Sequence, residues 1–309
     1  MIPKDPVAIV EVGPRDGLQN LTHYLDTNTK IQLIHLLAQS GLREIEVGGF
    51  VSPKAIPQFR DIRELVKGLP GYKGIKFAAL IPNLRGAQDA LECGVRKVHF
   101  VFSVSQSHNL NNVRKTPEES LAELGNITEL LASHPGVELS VDLATTFGCP
   151  FEMEVKKDDI MHYLDRIRDL GLRSVTLCDT VGYGNPRQVR DIFSLCMGRY
   201  PEITFRAHFH DTRGLGLVNT LVAYQVGVRS FDSSIGGLGG CPFAPGASGN
   251  VATEDQAFMF KEMEIETGVD IRSLFKVCQF LEENIPGVSL TSALYRAGLP
   301  GDHKICKEF

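Results

Sequence analysis

The chain predicts an α/β fold, a closed (β/α)8 barrel of the TIM type with extra C-terminal helices, on three observations. Eight short runs rich in β-branched and aromatic residues recur along the 309 residues. Stretches with helical spacing separate them, and no Pro/Ser-rich linker or change of composition interrupts the alternation. The runs are VAIVEV (7–12), EIEVGGF (44–50), IKFAALIP (75–82), KVHFVFSVS (97–105), ELSVDLAT (138–145), SVTLCDT (174–180), TFRAHFH (204–210) and RSFDSSI (229–235). After the first, TKIQLIHLLAQSG places Ile31, Ile34, Leu37 and Ala38 on one helix face, and Gly41 ends the helix. PEESLAELGNITELLAS, DDIMHYLDRIRDLGL and NPRQVRDIFSLCMGRY repeat the scheme, with Asn185-Pro186 as cap and first turn. A doubly wound open sheet is the rival, but it rarely needs eight regular units. One domain over 1–309 is expected, with the barrel at about 5–268 and C-terminal helices over about 269–309, at 270–284 and 291–298.

Composition narrows the function classes. At 43% hydrophobic and 22% charged the chain has material for a full core. A net charge of −5 gives no basic field, so no nucleic-acid partner is expected. No apolar run reaches the length of a membrane span, so no membrane partner is expected either. The opening MIPKDPVAIV has no charged-then-apolar export pattern, and Lys307-Glu308-Phe309 matches no receptor-read address. Cys93, Cys149, Cys178, Cys196, Cys241, Cys278 and Cys306 form an odd, scattered set without a CxxC pair, which predicts reduced thiols and a cytoplasmic setting.

In such barrels chemistry sits at the C-terminal ends of the strands, and the unusual polar residues fall there. The first strand runs into EVGPRDGLQN, with Arg15, Asp16 and Gln19. The second carries Glu46, the sixth ends in Asp179-Thr180, and the seventh in His208-Phe-His210. Alternation along a strand points both histidines into the barrel mouth, about 7 Å apart, and Phe209 outward. Closure brings the first strand near the seventh, across the eighth, which makes Asp16 the natural third ligand of a divalent cation. Two nitrogens plus oxygens suit Mg²⁺ or Mn²⁺; Zn²⁺ is an alternative. An isolated HxH is more often a hydrogen-bonded pair. The convergence of Asp16, Glu46, Asp179 and Asn250 on one rim shifts the balance to a metal site.

The segment GGLGGCPFAPGASGNVATED (236–255) follows the eighth strand. So much glycine serves unusual backbone conformations or close approach, not packing. It lacks the Lys-Ser/Thr ending of a phosphate-binding P-loop. A lid that carries Cys241 as a proton donor fits better than a plain surface loop. Asn250, just beyond, could reach a bound cation or an oxygen on it.

Together, VAIVEVGPRDGLQN, FVSPKAIPQ, AHFHDTRG and the glycine–cysteine segment resemble the hydroxymethylglutaryl-CoA lyase family, within the metal-dependent barrel lyases and Claisen-type synthases. The likeness runs in order over nearly the whole chain, and the Cys241 segment favours the lyase branch. The resemblance implies cleavage of a tertiary 3-hydroxyacyl-CoA to acetyl-CoA and a keto acid such as acetoacetate. It implies a divalent cation held by Asp16, His208 and His210 with Asn250 nearby, as Lewis acid and template. Arg15 would face the thioester oxygen and stabilise the enolate, and Cys241 would protonate the enolate carbon. Glu46 and Asp179 would orient Arg15 and the ligands from behind. Asp16 or His208 would be the base. A homodimer is implied as well.

Departures from the family pattern are equally specific. Gly48 and Gly49 replace a hydroxyl pair, Gln106 replaces a glutamate, Cys178 a glycine, and Leu21-Thr22 a Glu-Lys pair. With Gln19, residues Gly48, Gly49 and Gln106 are therefore expected beside the substrate, the glycines opening room for a bulkier 3-substituent. Arg114 and Lys115 could meet coenzyme A phosphates or be a solvated pair before the Thr116-Pro117 helix start. Two other classes remain: a condensing enzyme joining an acyl-CoA to an α-keto acid, and a non-catalytic CoA-binding barrel.

Overall fold

The computed structural model describes residues 4–239 and 249–301. Eight strands, β1 (Ala8–Glu11), β2 (Glu44–Gly49), β3 (Lys76–Ile81), β4 (Lys97–Ser103), β5 (Glu138–Ala144), β6 (Ser174–Asp179), β7 (Thr204–Phe209) and β8 (Ser230–Ser233), form a closed barrel in sequence order. Every pairing is parallel, and β8 pairs with β1 at the seam. The helices that follow the strands are α1 (Thr27–Gln39), α2 (Ile62–Gly68), α3 (Leu84–Glu92), α4 (Gln106–Val113), α5 (Pro117–Ala132), α6 (Lys157–Asp169), α7 (Pro186–Arg199), α8 (Gly216–Gln225) and α9 (Thr253–Glu262). The C-terminal α10 (Ile271–Asn284) packs on α1 and α9, and α11 (Ala293–Ala297) packs on α9.

Local chemistry sets the helix ends. Asn185 and Gln188 form a reciprocal capping box at α7 with Pro186 in the first turn, and Thr116 and Glu119 do the same at α5. Gly41, beyond α1, has φ +90°, and a Cβ there would overlap the Gly268 carbonyl oxygen, so only glycine fits. One helix differs from expectation. Gln106–Val113, where no helix is expected, is α4, because Ser105 caps it by accepting the His108 amide at 3.1 Å. Beyond it Arg114 is left-handed, and Lys115 pairs with Glu123 of α5 at 2.6 Å.

The sheet separates two unlike interiors. Its outer face buries Ile9, Ile45, Phe100, Phe102, Leu143, Leu177 and Phe209 against the helices, the usual apolar layer. The lumen is polar instead. Arg206 of β7 reaches Glu44 of β2 at 2.8 Å, an ion pair between strands that are not neighbours. That lumen opens at the rim where the site lies. Among the described residues no helix is long and apolar enough to cross a membrane.

A candidate metal centre and active site

At the end of β1 the chain makes one wide helical turn, Gly13–Gly17, with the Leu18 amide on the Gly13 carbonyl at 2.9 Å. Such widened turns are frequent at functional sites. This one places Arg15 and Asp16 over the lumen. Glu11 holds it from the outer side: one carboxyl oxygen accepts the amides of Gly13 (2.6 Å) and Ile235 (2.9 Å), the other the Thr253 hydroxyl (2.6 Å). Burial pushes the Glu11 carboxyl up to about 8 despite these donors.

Asp16 is the hub. Arg15 Nη1 donates to its Oδ1 at 2.5 Å and Gln19 Nε2 at 2.7 Å; Asn250 Nδ2 donates to Oδ2 at 2.7 Å. His210 Nε2 stands 3.7 Å from the same Oδ2. Burial works against the Asp16 charge, but Arg15 and the histidines outweigh it and hold the carboxyl far below the usual range. Arg15 is itself anchored through Nε to Glu46 Oε2 at 2.8 Å. His208 and His210 do share a face, their ring centres 5.2 Å apart, and Phe209 packs outward on Phe147 and Phe193. His208 Nδ1 lies 3.2 Å from Asp232 Oδ2 of β8.

Asn250 reaches the site because Gly249–Val251 runs antiparallel beside the end of β7. The Asp211 amide donates to Gly249 O at 2.7 Å, the Val251 amide to Phe209 O at 3.2 Å, and Asn250 sits opposite His210. Gly239 lies against Gly249 and beside Asp16, with φ +110°; a Cβ there would stand 2.6 Å from Asn250 Nδ2. Cys241 lies outside the described residues.

Two buried trios among the described residues bring metal-type ligand atoms within 4.8 Å of one another: Asp16–His208–His210 and Glu46–His99–Asp142. Both offer the oxygen and nitrogen donors that Mg²⁺ or Mn²⁺ accept. In the first, His210 Nδ1 and the Asn250 amide oxygen are buried without a hydrogen-bond partner. Such orphaned lone pairs at a carboxylate–imidazole cluster fit a bound cation.

Other expected site residues are placed differently. Asp179 is in register with Phe209, so it points away from the lumen and accepts the amides of Tyr183 (2.8 Å) and Gly184 (3.0 Å). It shapes the loop after β6 and its hydrogen bonds do not reach Arg15; burial pushes its carboxyl up, and the nearby His210 and His208 act against that. Gly48 and Gly49 sit at an irregularity of β2. A Cβ on Gly48 would stand 2.7 Å from Ile62, and one on Gly49 3.4 Å from Phe59 and Leu80. Ile62 takes the expected room at Gly48, whereas at Gly49 a Cβ would make only ordinary contact. Gln106 is exposed at the start of α4.

The sequence reading passed over Glu44, Lys97, His99, Asp142, Arg206 and Asp232. Their signal was charge at alternate positions inside β-branched runs, as in EIE, KVH and FRAH, which puts charge into a lumen that is normally apolar.

The profile of the HMGL-like family matches residues 6–281. The chain belongs to that family. A hydroxymethylglutaryl-CoA lyase of Bacillus subtilis is 41% identical over 279 residues, covering 90% of this chain and 93% of that one. The human mitochondrial hydroxymethylglutaryl-CoA lyase is 38% identical over 275 residues, 89% and 84% of the two chains. An HMG-CoA lyase from Acinetobacter baumannii, solved with coenzyme A and 3-methylmalate, superposes with a TM-score of 0.92 at 42% identity, covering 97% of each chain. Within the HMGL-like family, then, the rim cluster around Asp16 is the candidate active site.

Proposed function

We propose that this chain is a carbon–carbon lyase that cleaves 3-hydroxy-3-methylglutaryl-CoA, or a close 3-substituted ester, to acetyl-CoA and a keto acid. The observation that carries the reading is the meeting of Asp16, His208 and His210 on one rim with Arg15 fixed beside them. A divalent cation held by Asp16, His208, His210 and the Asn250 amide oxygen would supply Lewis acidity toward the substrate oxygens. Arg15 brings a permanent charge to the thioester oxygen as it becomes an enolate, and Glu46 and Asp16 keep the guanidinium from turning away. Gln19 and Asn250 fix Asp16 by donating to different oxygens, so its carboxylate cannot rotate. Cys241 delivers the proton to the enolate carbon; what supports this is the family motif and the position of Gly239 beside Asp16, with Gly249 against Gly239. The filled space at Gly48 favours the parent ester over bulkier homologues. A cytoplasmic setting belongs to the same reading, supported by free thiols at Cys93, Cys149, Cys178, Cys196 and Cys278.

Incubation with the parent ester and Mn²⁺ should release acetyl-CoA and acetoacetate in equal amounts, and exhaustive chelation should stop it. Unchanged cleavage after chelation, or no cleavage of the parent ester or its 3-alkyl homologues, rejects the proposal.

A further inference from the structure

Below Arg15 the lumen holds a buried cluster that the proposed chemistry leaves unused. His99 of β4 is 1% exposed. Its Nδ1 stands 3.5 Å from Asp142 Oδ2 of β5, and its Nε2 3.5 Å from Glu44 Oε1 of β2. Glu46 Oε1, Asp142 Oδ1 and His99 Nε2 itself are buried without a hydrogen bond of good geometry. A ring nitrogen whose nearest polar neighbour is a carboxylate is favoured to carry its hydrogen, because an ionised carboxylate only accepts. Here both nitrogens face one.

Either a second cation or a proton can balance this cluster, and counting charges separates them. Lys97 stands 2.6 Å from Glu44 and Arg206 2.8 Å, while Arg206 also faces Asp232 at 3.5 Å. Arg15 engages Glu46. Asp16, the other partner of Arg15, belongs to the rim cluster and its cation; below it, three fixed cations meet four carboxylates: Glu44, Glu46, Asp142 and Asp232. One proton closes the balance; a divalent ion overshoots it, beside a guanidinium that already occupies Glu46 Oε2. From β6 the facing group is Cys178, whose thiol burial keeps neutral.

We propose that His99, with a hydrogen on each ring nitrogen, is a positioning residue for Arg15: it neutralises Asp142 and the inner oxygen of Glu46, leaving the guanidinium turned to the rim. Without it Asp142, whose charge Arg15 already feels, would compete with Asp16 and the substrate for that guanidinium. Burial disfavours the imidazolium, but Asp142 and Glu44 override it and raise His99 to about 10. The inference rests on Arg15 as the group that faces the thioester.

The test combines a variant-free readout with a rescue. In ¹⁵N-histidine NMR of the wild-type protein at pH 8, both His99 nitrogens should be protonated. His99→Leu should lower kcat about 10- to 100-fold, the size seen when residues behind a catalytic group are lost, with KM and bound Mn²⁺ unchanged. Removing both partners, H99L/D142L, should recover most of the loss, since a buried pair can be exchanged for apolar residues at little cost. A singly protonated His99, an unchanged kcat in folded H99L, or a second bound ion lost in that variant overturns the proposal. If H99L does not fold, the NMR result still decides. Absence of turnover in the wild type rejects the lyase reading instead, and is seen before any variant is made.

Discussion

Asp16 does two jobs that separate by substitution. It is the carboxylate of the candidate cation site and the outer partner of Arg15. Asp16→Asn keeps the volume and removes the charge, so Mn²⁺ affinity should fall by about 100-fold or more along with turnover. Calorimetric titration checks it, and affinity equal to wild type would remove Asp16 from the site. Arg15→Gln should act differently. Loss of one preorganised donor to a developing oxyanion costs on the order of 10²–10³ in kcat, while Mn²⁺ binding should persist. Steady-state kinetics beside the same titration distinguishes the two, and a loss confined to KM would count against Arg15 as enolate stabiliser. Arg15, Asp16 and the two histidines were legible because motif and alternation both pointed to the rim. Asp179 looks identical in sequence whether it faces the lumen or the loop; the register with Phe209 shows that it faces away from the lumen.

Elements bring these residues together, and their joints carry sharp demands. Glu11 ties the Arg15–Asp16 turn to the start of the loop after β8 through the amides of Gly13 and Ile235. Its folded-state value, about 8, lies above its ordinary 4.5. A raised carboxyl contributes stability that is complete below 4.5 and is lost as pH rises through 8, because only the folded chain holds the proton in that window. Glu11→Gln mimics the protonated form, so the decline of Tm with rising pH over that range should flatten; an unaltered slope would show that Glu11 is ionised when folded. At the other joint, a Cβ on Gly249 would land within bonding distance of the Gly239 carbonyl oxygen. Gly249→Ala should therefore displace Asn250 and cut activity strongly. The apolar shell does not depend on that contact, so circular dichroism should show an intact barrel. The strands, the capping boxes at α5 and α7, and α10 could be read from pattern and cap chemistry. Helix α4 could not: SHNLNNV has no apolar stripe, and it is the Ser105 cap that starts the helix.

At the scale of the whole molecule, the candidate cation site spans the seam where the barrel closes. Its ligands come from the turn after β1, from β7 and from the segment after β8, so Asn250 and Asp16 meet across 234 residues of chain. No stretch of the unfolded polypeptide holds those atoms together, and a cation bound there stabilises only the closed barrel. At about 100 times its dissociation constant such an ion adds about 2.7 kcal/mol. For a chain of this size that is a Tm increase of about 3–6 °C. Thermal scans with and without Mn²⁺ should show the shift in wild-type protein and its absence in D16N; an equal shift in both would place the stabilising ion elsewhere. H99L should keep the shift, because Lys97, His99 and Arg206 lie deeper in the lumen, among carboxylates that the cation does not bridge. That lumen was half legible. The alternation of charged residues carried an unused signal of a polar interior, whereas the pairing of Arg206 with Glu44 across the barrel depends on strand stagger, which one sequence does not specify.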